Sequence, residues 1–226
     1  MADIELPVFP LPLVLFPSIP QSLHIFEPRY RHLVTDCLAG DRRFGLSVLH
    51  PGKGESDTPQ PGHVGCSAII RSHQSLPDGR SNILIVGEHR YVFKRLLNSD
   101  RLYFVGMVEP FYDQSTSNPL LSDLTVNVGK LFEEFMKSGE SAESGLAAPM
   151  SLPNDPELLS YHVSAALPID LAAKEDLLRL TSTTVRLERL RNLLKPLMAQ
   201  AARRSSVQRL AKRNGKTHAV PTVSTE

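Results

Sequence analysis

The sequence predicts an α+β fold in which a β-rich half precedes a helical half. Residues 4–112 contain short apolar runs, several alternating in period two and interrupted by proline, which is typical of strands. From Pro119 onward apolar residues recur at three- and four-residue spacing, which is typical of amphipathic helices. Because the strands precede the helices instead of alternating with them, the pattern favours α+β over α/β.

The β-rich half contains a predicted hairpin and an exposed loop. Leu76-Pro-Asp-Gly-Arg80 is a turn signal between two extended runs, so these runs are expected to pair. Residues 51–62 are so rich in glycine and proline that they predict a loop. The predicted strands are residues 4–9, 13–16, 44–50, 64–74, 82–87, 91–97 and 102–108.

One helix interrupts the predicted sheet. Pro28 suits its first turn, and Gly40 stands where a C-cap glycine belongs. Between them, apolar residues recur at helical spacing: Tyr30, Leu33, Val34, Cys37 and Leu38.

The helical half is predicted to hold four helices, with a loop at 138–153 after the first. Pro168 closes the second helix, and Pro196 is expected to kink or restart the last one. The start signals of the four helices are Pro119, Asp155 with Pro156, Asp170, and Thr183 or Thr184.

Charge is divided unevenly along the chain, although the net charge is only +1. Residues 186–226 hold ten Lys or Arg and two acids, which gives +8, whereas the preceding 185 residues hold 15 bases and 22 acids, which gives −7. Apolar spacing also fades past about Arg204. We therefore expect a β-rich subdomain at 1–115, a helical subdomain at 116–203 and a basic flexible tail at 204–226.

Composition indicates an ordinary globular protein. The 226 residues are 41% hydrophobic and 22% charged, and the two cysteines match no zinc spacing and suit a reducing compartment. The acidic, proline-broken amino terminus argues against a signal peptide, and no apolar run reaches the ~20 residues of a membrane-spanning helix. These features predict a cytoplasmic protein without membrane contact.

The sequence contains no catalytic constellation that we recognise. Gly215-Lys-Thr217 lacks the preceding glycine of a phosphate-binding loop, since Leu210 stands there, and no serine lies in a G-x-S-x-G motif. His63 with Cys66 supplies only half of a metal site. We therefore expect no cofactor, no metal and no enzymatic activity, although a Ser-Lys dyad has no motif that would reveal it and stays open.

Motifs in both halves resemble, in order, the amino-terminal substrate-binding domain of Lon proteases, over about residues 4–196. In the β-rich half they are Ile4-Glu-Leu-Pro-Val-Phe-Pro-Leu-Pro-Leu-Val-Leu-Phe-Pro17, Leu23-His-Ile-Phe-Glu-Pro-Arg-Tyr30, Leu76-Pro-Asp-Gly-Arg80 and Val86-Gly-Glu-His-Arg-Tyr-Val92. In the helical half they are Ala165-Ala-Leu-Pro-Ile-Asp-Leu171, Lys174-Glu-Asp-Leu-Leu178 and Thr184-Val-Arg-Leu-Glu-Arg-Leu190.

This resemblance implies a PUA-like β pseudobarrel of about six strands with one helix, followed by a small helical bundle. In Lon such a domain captures unfolded or tagged polypeptide and helps to assemble the hexamer, while separate ATPase and Ser-Lys peptidase modules do the chemistry. The chain ends where those modules would begin. The resemblance therefore implies a stand-alone, non-enzymatic adaptor or regulator in protein quality control, with client polypeptides and a protease or chaperone as partners.

A cleft between the barrel and the bundle is the expected binding site, because such clefts collect apolar side chains that neither half covers. Plain core packing is the alternative explanation for its lining, and it stays open. The predicted partner-binding residues are Leu15, Phe16, Ile19 and Phe26, with His50 and Pro51 on the rim.

Two further roles are predicted beside this cleft. Glu27 is expected to be structural and to pair with Arg90, since a charge beside a buried helix start needs a partner. Gly87 is expected to permit a bulge or a close approach of backbone.

RNA binding is the alternative function. PUA-like barrels bind RNA in other families, and the basic tail would supply contacts to phosphate. The −7 charge of the preceding residues and the scarcity of aromatic residues for base stacking argue against it.

Overall fold

The computed structural model describes residues 3–49, 59–114, 119–137 and 152–214, with side chains as far as residue 200. It confirms the α+β architecture. Its strands are β1 (Ile4–Leu11), β2 (Pro20–Ile25), β3 (Arg43–Val48), β4 (Val64–Ser75), β5 (Ser81–Leu96) and β6 (Phe104–Phe111). Its helices are α1 (Pro28–Ala39), α2 (Leu121–Lys137), α3 (Pro156–Ala166), α4 (Leu171–Arg179) and α5 (Thr183–Asn214).

Five of the strands close into a ring, and the sixth lies outside it. The sheet order is β2-β5-β4-β3-β1-β6, and β5 also pairs with β6, so β1, β3, β4, β5 and β6 form a closed barrel. The pairing of β1 with β3 is parallel, and the other pairings are antiparallel. The 16 residues of β5 make this possible, because its first half carries β2 and its second half pairs with β6.

The segment between β1 and β2 differs from its prediction. Residues 13–16 are apolar but form no strand, and β2 follows where no strand was predicted. Leu15 packs into the barrel core and Phe16 into the core of the helical half. Burial in two cores, and not strand pairing, therefore explains why these residues are apolar.

The middle of the sheet also differs from its prediction. Two strands were predicted at 82–87 and 91–97, but a single continuous strand, β5, covers residues 81–96. The close approach predicted for Gly87 is present: a Cβ added there would stand 2.2 Å from the carbonyl oxygen of Phe16. The chain crosses β5 at this point, which only a residue without a side chain permits.

The predicted start signals of α3 and α4 are confirmed. The Asp155 carboxylate accepts a hydrogen bond from the Leu158 amide at the start of α3, and Asp170 accepts one from the Ala173 amide at the start of α4. Pro196 neither ends nor restarts α5, which runs through it to Asn214. The predicted boundary at 115–116, most of the loops at 51–62 and 138–153, and residues 215–226 lie outside the described part of the chain.

Candidate functional site

A buried cluster of charges joins the barrel to the helical bundle. Asp113, just after β6, accepts hydrogen bonds from Arg90 of β5 and from Arg186 of α5, whose Nη2 lies 2.6 Å from Asp113 Oδ2. The hydroxyl of Thr183 donates to the same oxygen at 2.5 Å. Both guanidinium groups also lie over the ring of Tyr161, at 5.6 Å and 4.3 Å from its centroid. We call these five residues the Asp113 cluster.

The electrostatics of the cluster indicate a structural role. Burial, the largest influence on Asp113, by itself raises its pKa, but the hydrogen bonds and charges of Arg186, Thr183 and Arg90 outweigh it and hold the pKa below the usual range of an aspartate. Arg90 and Arg186 are almost completely buried. Because the two arginines come from different halves of the chain and bind the same carboxylate, the cluster is placed to hold the halves together.

The predicted pairing of Glu27 with Arg90 is wrong. Glu27 pairs with Arg29, whose Nη2 lies 2.9 Å from the Glu27 carboxylate, and the pair is partly exposed. Arg90 pairs with Asp113 and also donates to the carbonyl of Leu178 at 2.7 Å. Arg90 points from the barrel towards the bundle, and that direction could not be read from the sequence.

The residues predicted to line the cleft divide into two groups. Leu15, Phe16 and Ile19 are buried, and the Phe16 ring stands 6.2 Å from that of Tyr161 in the core of the helical half. Core packing, the alternative that the sequence left open, therefore describes these three. Phe26 is instead 58% exposed. His50 and Pro51 lie outside the described residues.

Phe26 belongs to an exposed surface that the sequence did not reveal. Its ring stacks on that of His24, with centroids 6.2 Å apart, and His24 Nδ1 lies 2.7 Å from the Asn82 side-chain oxygen on β5. Leu84 of β5, which is 36% exposed, pairs in register with Ser22 and so shares the same face of the sheet. We call this set (Ser22, His24, Phe26, Asn82 and Leu84) the β2 surface.

The only sequence signal for this surface was the period-two alternation of β5. That alternation places Leu84 opposite in direction to Ile83 and Ile85, which are buried. This alternation alone did not identify the surface, because the sequence did not show which strand pairs with this part of β5.

The helical half contains a groove. A groove of about 820 Å³ runs between α2 and the start of α3, and its lining includes Leu121, Val126, Lys130, Glu133 and Pro156. Its lining also includes Ser122 and Thr125, and the Thr125 hydroxyl donates to the carbonyl of Leu121. Such an open groove with mixed lining does not by itself indicate a ligand.

The two cysteines, Cys37 of α1 and Cys66 of β4, are buried in the core between that helix and the barrel. Burial raises the pKa of the Cys37 thiol to about 12 and that of Cys66 further still. A protonated, buried thiol is a poor metal ligand and a poor nucleophile. Within the described ranges, no group of three or more His, Cys, Asp or Glu side chains could hold a metal ion. No helix in those ranges is long and apolar enough to span a membrane.

Comparison with known proteins points to a single family. A family model described as the ATP-dependent protease La (LON) substrate-binding domain matches residues 5–196. The chain is 24% identical over 187 residues to a Lon protease from Buchnera aphidicola subsp. Schizaphis graminum, covering 82% of this chain and 24% of the relative. It is 27% identical over 192 residues to Lon protease 2 from Herpetosiphon aurantiacus, covering 83% and 23%. The chain thus spans about a quarter of the length of these relatives.

Solved structures show the same fold. The Lon N-terminal domain protein from Xanthomonas campestris matches with a TM-score of 0.62 at 23% identity, covering 83% of this chain and 96% of that one. The N-terminal domain of a Mycobacterium avium complex Lon protease matches with a TM-score of 0.65 at 16% identity, covering 85% and 98%.

Proposed function

Because the chain belongs to the family of LON substrate-binding domains, we propose that it binds unfolded polypeptide at the β2 surface and acts as an adaptor or regulator that presents clients to a protease or chaperone. The family match over residues 5–196 carries this proposal. It includes no bond-breaking step by this chain, since the charges of the Asp113 cluster bind one another between the barrel and the helical bundle.

The β2 surface has the chemistry that recognition of unfolded protein requires. Phe26 and Leu84 expose apolar area, whereas Ser22, His24 and Asn82 supply polar groups beside it. A phenylalanine of this exposure that becomes covered contributes roughly 2–3 kcal/mol before the entropic cost of association. Contact of this size is suited to weak, sequence-tolerant binding of the apolar segments that unfolded chains expose.

A polypeptide-binding assay tests the proposal directly. The full chain is titrated into fluorescein-labelled lactalbumin that has been reduced and carboxymethylated so that it cannot fold, and anisotropy is recorded. We expect saturable binding that native, disulfide-intact lactalbumin does not show. Absence of binding to the unfolded probe would refute the proposal.

Substitutions at two exposed apolar residues test where on the protein the unfolded polypeptide binds. Phe26→Ser should weaken binding about tenfold, which corresponds to about 1.4 kcal/mol. Leu102→Ser removes a side chain of similar exposure (62%) from the segment between β5 and β6 and should leave the affinity unchanged. Equal affinities for the two variants would show that the β2 surface is not the site.

A single-stranded RNA probe in the same assay covers the alternative function. Binding of RNA with a steep dependence on salt, together with no binding of the unfolded protein, would favour RNA as the ligand.

A further inference from the structure

The open edge of β2 offers a specific mode of binding at the β2 surface. Among the described strands, β2 pairs with β5 alone, because the barrel closes through β5 and β6 and leaves β2 outside the ring. One side of β2 therefore presents its backbone groups to solvent, and Pro20, Ser22 and His24 are exposed there.

The hydrogen bonds at the start of β2 identify which backbone groups are unpaired. Gly87 donates its amide to the carbonyl of Ile19 at 3.1 Å, and its carbonyl accepts from Ser18 at 2.8 Å. Hydrogen-bonded pairs alternate along an antiparallel ladder, so Gln21 and Leu23 also bond to β5. The amides and carbonyls of the intervening residues, Ser22 and His24, then point away from the sheet.

Some of this edge is already occupied. The Gln21 side chain donates from Nε2 to the Ser22 carbonyl at 3.0 Å, and Pro20 has no amide to donate. The Ser22 amide, the His24 amide and the His24 carbonyl remain, spaced as an added strand would need them.

Within the described residues, β2 itself carries little of the usual protection against strand addition. Natural sheets discourage pairing at exposed edges with charged side chains, especially lysine, with proline within the strand or with a covering element. The six residues of β2, Pro-Gln-Ser-Leu-His-Ile, contain no charged residue, and their proline stands at the first position. The exposed apolar groups Phe26 and Leu84 lie on the face beside this edge.

We propose that an extended client segment binds by adding a strand to the free edge of β2. The amides of Ser22 and His24 donate to carbonyls of the client, and the His24 carbonyl accepts a client amide. Alternate side chains of the client then lie beside Ser22 and His24 of β2, on the face that also carries Phe26 and, one strand further away, Leu84. Main-chain hydrogen bonds supply affinity without regard to sequence, and the apolar groups favour clients with alternating apolar residues. This inference rests on the proposed function and specifies its binding mode.

A proline substitution tests the outward edge of β2 without removing its hydrogen bonds to β5. Ser22→Pro deletes the outward amide and places the ring where the incoming strand would lie, yet it removes no hydrogen bond to β5. Ser22→Ala keeps the amide and is the matched control. With the carboxymethylated lactalbumin probe, we expect Ser22→Pro to weaken binding at least tenfold and Ser22→Ala to bind as the unsubstituted chain does.

Amide hydrogen exchange on the unsubstituted chain provides a second test that does not depend on how the proline variant folds. Saturating probe should slow exchange at Ser22 and His24, whereas Leu23, already bonded to β5, should change little. Equal affinity of the proline variant, or unchanged exchange at both amides, would overturn strand addition while leaving polypeptide binding intact. Failure of the unsubstituted chain to bind the probe would instead overturn the proposed function. Protection of the two amides that grows with protein concentration and without probe would mean that a second copy covers the edge, and would also overturn the inference.

Discussion

Replacing Asp113 with asparagine should destabilise the protein strongly, because it removes the one carboxylate that Arg90 and Arg186 share. The side chain keeps its shape, so the change isolates charge from packing. Asp113 accepts from Arg186 at 2.6 Å and 3.2 Å, from Thr183 at 2.5 Å and from Arg90. In the variant, one of the two side-chain oxygens becomes an amide that faces a donor, and two buried guanidinium groups lose their counter-charge.

The magnitude follows from burial. Both arginine side chains are at most 1% exposed and Asp113 is 8% exposed, so solvent screens the interaction weakly. Removing one partner of such a buried pair costs about 3–5 kcal/mol. For a chain of this size, this corresponds to a fall in melting temperature of about 10 °C.

The lowered pKa of Asp113 also predicts how its contribution to stability changes with pH. The folded pKa of Asp113 lies below its usual value, so its stabilising contribution is present above the unfolded pKa of about 3.9 and is lost as pH falls through the folded pKa. The difference in unfolding free energy between the unsubstituted chain and Asp113→Asn should therefore be full above about pH 5 and should shrink below about pH 4.

Urea and thermal unfolding followed by circular dichroism at pH 7.5, 5 and 3.5 measure this difference. Asp78→Asn is the control, because its ion pair with Arg80 is on the surface and should contribute little. A loss in Asp113→Asn as small as that of the control would refute the view that the cluster joins the two halves.

Three other substitutions or treatments test the packing. Gly87→Ala should cost about 1–3 kcal/mol in urea unfolding, since its Cβ would meet the Phe16 carbonyl oxygen at 2.2 Å, whereas Gly62→Ala meets no atom within 4 Å and should cost less, only the strain of its positive φ. Phe16→Ala should cost about 3–5 kcal/mol as a buried aromatic deletion; a variant with intact stability but lost polypeptide binding would return Phe16 to the binding site. Cys37 and Cys66 should react with a thiol reagent at pH 8 much more slowly in the native protein than in guanidinium chloride, and equal rates would contradict their burial.

Local signals in the sequence identified most of the helices and the barrel's strand content. Capping by Asp155 and Asp170 depends on residues three apart in the chain, and so does the helical spacing that follows them. The Pro28 and Gly40 signals around α1 are equally local. Such features can be predicted from the sequence because the residues that interact lie within about one helical turn of each other.

Features set by distant parts of the chain were not readable. Whether Arg90 met Glu27 or Asp113 depended on which face of β5 lay against the bundle. The free edge of β2 depended on how five other strands closed into a ring. Pairing across a sheet is non-local, and no single strand encodes it. Of the predicted site residues that the structure describes, only Phe26 is exposed.

The buried residues Leu15, Phe16 and Ile19 lie where they can position the β2 surface. Where the chain crosses Gly87, Leu15 packs into the barrel core and Phe16 packs into the core of the helical half. Two consecutive residues therefore anchor this segment in both halves. Backbone hydrogen bonds between Gly87 and residues 18 and 19 then set the register in which β2 joins β5. Since this register decides which amides face outward, a change at Phe16 or Gly87 should alter exchange along the whole of β2, whereas a change at Phe26 should alter binding alone.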